Sequence, residues 1–179
     1  MKVWDIQSDV ENFAAIHLTG DAETILDLYE QWPYFEGQKF GDTWPKYQAK
    51  FKTLNAPGSF KRAVGNFVDM DSGILVFDNL ALIKLKKLIL NEVEILSIDV
   101  EGFNMKVLNV TKIIDCLDEK KSECLYFKNS HKVMQVKKYS FDTNLLDNIA
   151  LFKIPQLVRS YILRQMLFAN EFWKKSLLN

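Results

Sequence analysis

The chain has 179 residues, of which 48% are apolar and 13% aromatic. That suits one domain with an ample hydrophobic core and excludes an intrinsically disordered chain. Lys plus Arg number 23 and Asp plus Glu 23, for a formal net charge of zero, which argues against a dedicated nucleic-acid binder.

Residues 2–6 read as a short strand around Val3 and Trp4, and residues 12–18 have strand-like content. Asp21 can cap a short helix over 21–31 that carries Ile25, Leu26, Leu28 and Tyr29. Turn residues then cluster: Pro33, Gly37, Gly41, Pro45, Pro57, Gly58 and Gly65 predict an irregular stretch with a short extended piece at 49–54. The aromatics Trp32, Tyr34, Phe35, Phe40, Trp44, Tyr47 and Phe51 fall in this stretch. Exposing them all would leave a large apolar patch, so the segment is read as a loop-rich layer packed on a core.

Residues 73–77, GILVF, form a compact apolar run, and Asp78 is a good N-cap for a helix over 79–90. Leu82, Leu85 and Ile89 are its apolar face, Lys84, Lys86 and Lys87 its outer face. Asn91 can close it in the left-handed conformation. Residues 93–100 and 103–110 are β-rich, and Glu101-Gly102 between them predicts a tight hairpin. A second hairpin is expected from 123–127 and 132–141 around Asn129-Ser130. A turn or short helix at 143–148 leads to a strand at 150–154 that Pro155 ends. A further short strand is expected at 161–163 and a terminal helix at 170–178. The pattern predicts an α+β fold in which antiparallel β hairpins or a sheet pack with a few short helices. One domain is expected over 1–179. Residues 1–65 would be its loop-rich aromatic N-terminal part and 66–179 its more regular core.

Candidate chemistry is sparse. His17 and His131 are far apart in sequence, and Cys116 and Cys124 lie eight residues apart with no matching pair. A metal site is therefore not expected, and neither is a cofactor. The cysteines are too few for a disulfide scaffold and are read as reduced thiols. A thiol–imidazole pair of either cysteine with His131 is weaker than a buried thiol beside a hairpin-loop histidine. No catalytic residue is assigned. The acidic pairs Asp69/Asp71 and Glu92/Glu94, and the trio Asp115/Asp118/Glu119, are read as solvated charged faces. The lysines of 128–139 are read as a wet hairpin edge that deters strand pairing. The N-terminus, MKVWDIQSDVENF, has no apolar signal-peptide core. The apolar stretch 74–90 is too interrupted by charge to span a bilayer. Cytoplasmic location is expected, with no membrane and no nucleic acid as partner.

One series of segments carries a resemblance: Gly41-Asp42-Thr43-Trp44, the run 69–77 (DMDSGILVF), and Val107-Leu108-Asn109-Val110-Thr111. It continues with Ile114-Asp115-Cys116-Leu117-Asp118, Ser122, Tyr139-Ser140-Phe141-Asp142 and Ala150-Leu151-Phe152-Lys153-Ile154-Pro155. From residue 41 to the C-terminus this order resembles immunity protein family eleven of bacterial polymorphic toxin systems, formerly a domain of unknown function. The resemblance implies a non-enzymatic cytosolic antidote that binds a cognate toxin, encoded beside it, and blocks its action. Members of that family commonly continue past the last helix with a glycine and a closing strand. Without that strand an exposed sheet edge is expected.

Asn109, Thr111, Asp115, Asp118 and Ser122 surround the exit from a strand, where short polar side chains satisfy backbone groups. Trp44 reads as a packing anchor and Asp42 as a turn residue. As partner-binding candidates the matched segments offer Asp42, Trp44, Asp115 and Asp118. Variable positions in 20–65 are a further candidate surface. The alternative is an interaction module or homo-oligomeric adaptor unrelated to toxins.

The zero net charge conceals an asymmetry. Residues 1–101 carry 10 basic and 16 acidic side chains, residues 102–179 carry 13 and 7. An acidic face built by the first half would steer a basic partner.

Overall fold

The computed structural model describes residues 3–6, 12–21, 23, 26, 35–52, 63–70 and 74–164. In chain order the strands are β1 (Val3–Ile6), β2 (Ile16–Thr19), β3 (Tyr47–Phe51), β4 (Phe67–Met70) and β5 (Ile74–Asp78). After helix α1 (Asn79–Ile89) come β6 (Val93–Val100), β7 (Met105–Val110), β8 (Glu123–Tyr126), β9 (Val133–Lys138), β10 (Leu151–Ile154) and β11 (Leu157–Arg164). Packing divides the chain into two units, Gln7–Thr111 and Met1–Ile6 with Lys112–Asn179. The boundary drawn at 65/66 from composition falls inside the first of these.

The first unit is a closed six-stranded barrel in the order β2-β3-β6-β7-β5-β4. Strand alternation builds its interior. Tyr47 and Ala49 on β3, and Leu96, Ile98 and Val100 on β6, point inward, with Gln48, Lys50, Ser97 and Asp99 exposed between them. The expected hairpins are present: β6 and β7 pair antiparallel around Glu101-Gly102, with Gly102 at φ +73°. That backbone conformation suits glycine. Beside the expected antiparallel pairs the barrel has two parallel ones: β3 runs parallel to β6, and β2 closes on β4 through a parallel pair, Ile16 opposite Met70. Such seams join strands distant in sequence, which local pattern does not encode.

Helix α1 packs against β5. Asp78 caps it as expected, its Oδ1 accepting from the Ala81 amide at 2.7 Å; such a cap contributes about 1 kcal/mol. Asn66 Nδ2 donates to the other Asp78 oxygen, tying the cap to the entry of β4. Ala81, Leu82 and Ile89 are buried. The closure differs from expectation: Asn91 is not left-handed. Instead the Leu90 amide donates to Lys86 O and the Glu92 amide to Ile89 O, both at 3.0 Å.

The second unit holds an antiparallel three-stranded sheet, β1-β11-β10, and the two-stranded hairpin β8-β9. Its core gathers Cys116, Leu117, Val133, Val136, Leu146, Phe152, Ile154 and Ile162. Pro155 ends β10 as expected, but Pro155-Gln156 is also a tight turn, because Ile154 pairs with Leu157. The short strand expected at 161–163 is thus the end of an eight-residue strand. In the β8-β9 hairpin Asn129 sits at φ +60°, within the turn expected there. A 3-10 turn at Thr143–Leu146 is capped by Asp142.

Of the helix expected over 21–31 only Asp21, Glu23 and Leu26 are described, and the terminal helix at 170–178 lies outside the described residues. Within them the fold is strand-dominated, with one α-helix longer than a turn. No helix among them is long and apolar enough to cross a membrane.

Candidate functional site

The most elaborate polar cluster sits on the barrel. Residues 94, 96, 98 and 100 share the inward-facing register of β6, and on β7 Met105, Val107 and Asn109 share that of their strand. Glu94 and Asn109 are register partners, so the core-facing side carries a polar pair. Asn109 is fully buried. Its Nδ2 donates to Glu94 Oε2 at 3.0 Å and to Gln38 O at 2.7 Å. Glu94 also accepts from the Phe40 amide at 2.9 Å and the Gly41 amide at 2.7 Å. Together the two side chains fasten the loop 38–41 to the ladder.

Burial pushes the Glu94 carboxyl upward. The amides of Phe40 and Gly41, the Asn109 amide and the charge of Lys39 outweigh that, and the net displacement is below the ordinary carboxylate value. Both Glu94 oxygens accept from donors of the chain itself, so the group holds a loop. Sequence reading placed Glu92 and Glu94 on a solvated face. That is corrected: Glu92 is buried and Glu94 half-buried. The inward register of Glu94 within β6 is the signal that could have revealed it.

The fastened loop leads into a 3-10 turn, Gly41–Thr43, with Gly41 at φ +54°. Asp42 is exposed on this turn. Trp44 follows it half-buried. Its Nε1 donates to Ser97 O at 2.7 Å. Its ring meets Phe35, Phe40 and Tyr47 edge-on, with centroids 5.8, 5.2 and 4.9 Å away. Trp44 therefore anchors the loop, and Asp42 is presented on a backbone held from both sides.

Asp115 and Asp118 belong to the second unit. Asp115 is exposed, and its Oδ1 accepts from Gln156 Nε2 at 2.9 Å. The same nitrogen donates to Glu119 Oε1 at 3.2 Å. Asp118 builds its own turn: Oδ1 accepts from the Lys121 amide at 3.2 Å and Oδ2 pairs with Lys121 Nζ at 2.8 Å. The Lys121 contact holds the Asp118 carboxyl below its usual value. The Asp118 amide donates to Ser140 O, and Ser122 Oγ accepts from the Ser140 amide at 2.9 Å. The four candidates thus fall in two pairs, one in each unit.

Cys116 and Cys124 are free thiols. Burial raises the Cys116 pKa to about 11, with Asp115 and Asp142 adding to the rise, so that thiol stays protonated at neutral pH. Lys153 is fully buried, which its place in the LFKIP run did not reveal. Among the described residues no group of three His, Cys, Asp or Glu could hold a metal.

The opposed charges follow the units. The barrel unit carries 10 basic and 15 acidic side chains, the other 13 and 8. Part of the barrel's acidic excess is engaged within the fold. Asp78 caps α1, Glu94 holds a loop and Glu92 is buried. Asp21, Glu23, Glu36, Asp42, Asp99 and Glu101 are exposed, as are Lys39, Lys46, Lys50, Lys52, Lys84, Lys86 and Lys87.

No protein-family model matches the chain, and no curated protein matches it.

Proposed function

We propose that the protein is a non-enzymatic cytoplasmic immunity protein that binds a cognate bacterial polymorphic toxin and neutralises it. The reading rests on the resemblance of residues 41–179 to immunity protein family eleven. The observation that supports it is what the polar residues of the resembling segments do. Asn109 bonds Gln38 O, Thr111 Oγ1 bonds Glu92 O, Asp118 bonds the Lys121 amide, and Ser122 bonds the Ser140 amide. All four hold backbone in place. A scaffold stiffened in this way leaves partner choice to its exposed surface, as an antidote for one toxin among many requires. Blocking a toxin takes a stable interface, typically about 1,200–2,000 Å² in total.

The test is co-expression of the chain with the toxin domain encoded beside its gene. Growth rescue and co-purification of a stoichiometric complex are expected. Failure to rescue from any neighbouring toxin domain would refute the reading.

A second reading, a homo-oligomeric adaptor, is favoured by α1. Leu80 and Ile83, one turn apart on its outer side, are each 63% exposed. Light scattering that finds a dimer and no toxin complex would support it over the first.

A further inference from the structure

We propose that the tip of the β8-β9 hairpin is the surface that docks the toxin, and that the toxin meets it with an acidic surface enclosing an apolar pocket. This rests on the toxin-binding reading above. The hairpin buries one side, where Val133 and Val136 enter the core of their unit. It leaves Tyr126, Phe127 and Met134 exposed at 44, 53 and 48%. Scattered exposed apolar residues are ordinary on protein surfaces. Three around one turn, beside a concentration of positive charge, are not.

That charge comes from Lys128 and Lys132 in the tip, both exposed, with His131 also exposed between them; Lys137 and Lys138 on β9 lie at the far end of the hairpin, Lys138 opposite Glu123 in register. The one carboxylate on the hairpin, Glu123, lies 4.0 Å from Lys137 at the end remote from the tip. Charge complementarity therefore calls for an acidic partner.

The tip is also built to hold its shape. The Phe127 amide donates to Lys132 O at 3.0 Å and the Ser130 amide to Phe127 O at 3.1 Å. Ser130 Oγ accepts from the Lys132 amide at 3.0 Å, and Tyr126 donates its hydroxyl to Glu119 at 3.2 Å. An aromatic anchor on ordered backbone binds with little further ordering cost. The zero net charge of the whole chain argues against a nucleic-acid partner and for a protein one.

The experiment measures association and dissociation of the full chain with the purified toxin domain encoded beside its gene, at low and high salt. The variants are Phe127→Ala and Lys128→Glu/Lys132→Glu, with Lys86→Glu/Lys87→Glu on α1 as control. All these side chains are exposed, so unchanged melting curves confirm the fold of each. Phe127→Ala is expected to speed dissociation at least about tenfold. The tip charge reversal is expected to slow association at least about tenfold at low salt and to flatten its salt dependence. The α1 control should match the wild type. Wild-type binding that neither tip variant alters would overturn the tip and leave the toxin reading standing. No wild-type binding to the toxin would overturn both. Binding of a labelled single-stranded oligonucleotide that the charge reversal abolishes, with toxin affinity unchanged, would overturn the proposal in favour of nucleic acid.

Discussion

Glu94 on β6 and Asn109 on β7 stand opposite one another in register, and the Asn109 side-chain amide donates to the Glu94 carboxylate at 3.0 Å. A polar pair on the core-facing side of a barrel is costly unless its groups are bonded. Here the bonding extends to Gln38 O and the amides of Phe40 and Gly41. The loop that presents Asp42 and Trp44 is thereby positioned by the β ladder.

Replacing Glu94 with Gln removes the charge and turns one of the two accepting oxygens into a donor that faces an N–H, which should cost about 1–3 kcal/mol at neutral pH. The Glu94 carboxyl is held below its ordinary value. Its charge therefore stabilises the fold above the unfolded-state pKa of about 4.3, and that contribution is lost as pH falls through the lower, folded-state value. Urea melts of wild type and Glu94→Gln should accordingly converge in acid. A stability gap that stays constant from pH 7 to pH 3 would contradict the role given to the carboxylate.

Asn109→Asp is nearly isosteric but exchanges the donor for a second carboxylate beside Glu94, with Gln38 O left without its partner. A loss of about 3 kcal/mol is expected at neutral pH. Two carboxylates at this distance share a proton readily, so part of the loss should return on mild acidification: this variant gains stability where the wild type begins to lose the Glu94 contribution. Thermal melts between pH 4.5 and 7.5 would show it.

Trp44 makes two separable contributions. Trp44→Phe keeps a ring among Phe35, Phe40 and Tyr47 but loses the hydrogen bond to Ser97 O, at about 1 kcal/mol. Trp44→Ala removes the ring as well and should cost about 2–4 kcal/mol. If Trp44 also touches the toxin, Trp44→Phe will weaken binding by more than it lowers stability. Calorimetry of the complex beside denaturant melts separates the two.

Much of the local structure was legible. Asp78 announced the start of α1, Glu101-Gly102 the β6-β7 turn, and Asn129 the turn between β8 and β9, because caps and tight turns depend on residues close in sequence. The closure of the barrel was not legible: the β2-β4 and β3-β6 seams join segments 54 and 51 residues apart at Ile16/Met70 and Tyr47/Ile98. Pairing of β1 with β11 spans nearly the whole chain for the same reason. Asn109 stood out in its segment, but its partner Glu94 read as one of many surface carboxylates. Only the strand register, which turns it inward, gives it a structural role.

The non-enzymatic reading is tested by Cys116→Ala/Cys124→Ala. Cys116 is buried with its pKa raised to about 11, a thiol suited to packing. The double variant should melt slightly earlier, by about 1–2 kcal/mol in stability, and neutralise the toxin as completely as wild type. Loss of protection with the fold intact would point to thiol chemistry.

Calorimetric titration of the purified chain into a candidate toxin domain encoded beside its gene, followed by an assay of that domain's activity, tests the proposed function most directly. The expected result is a saturable, stoichiometric complex whose formation abolishes the activity in proportion to occupancy, with neither protein chemically altered when recovered. No measurable binding, or inhibition that persists after the chain is removed because the toxin has been covalently modified, would contradict it.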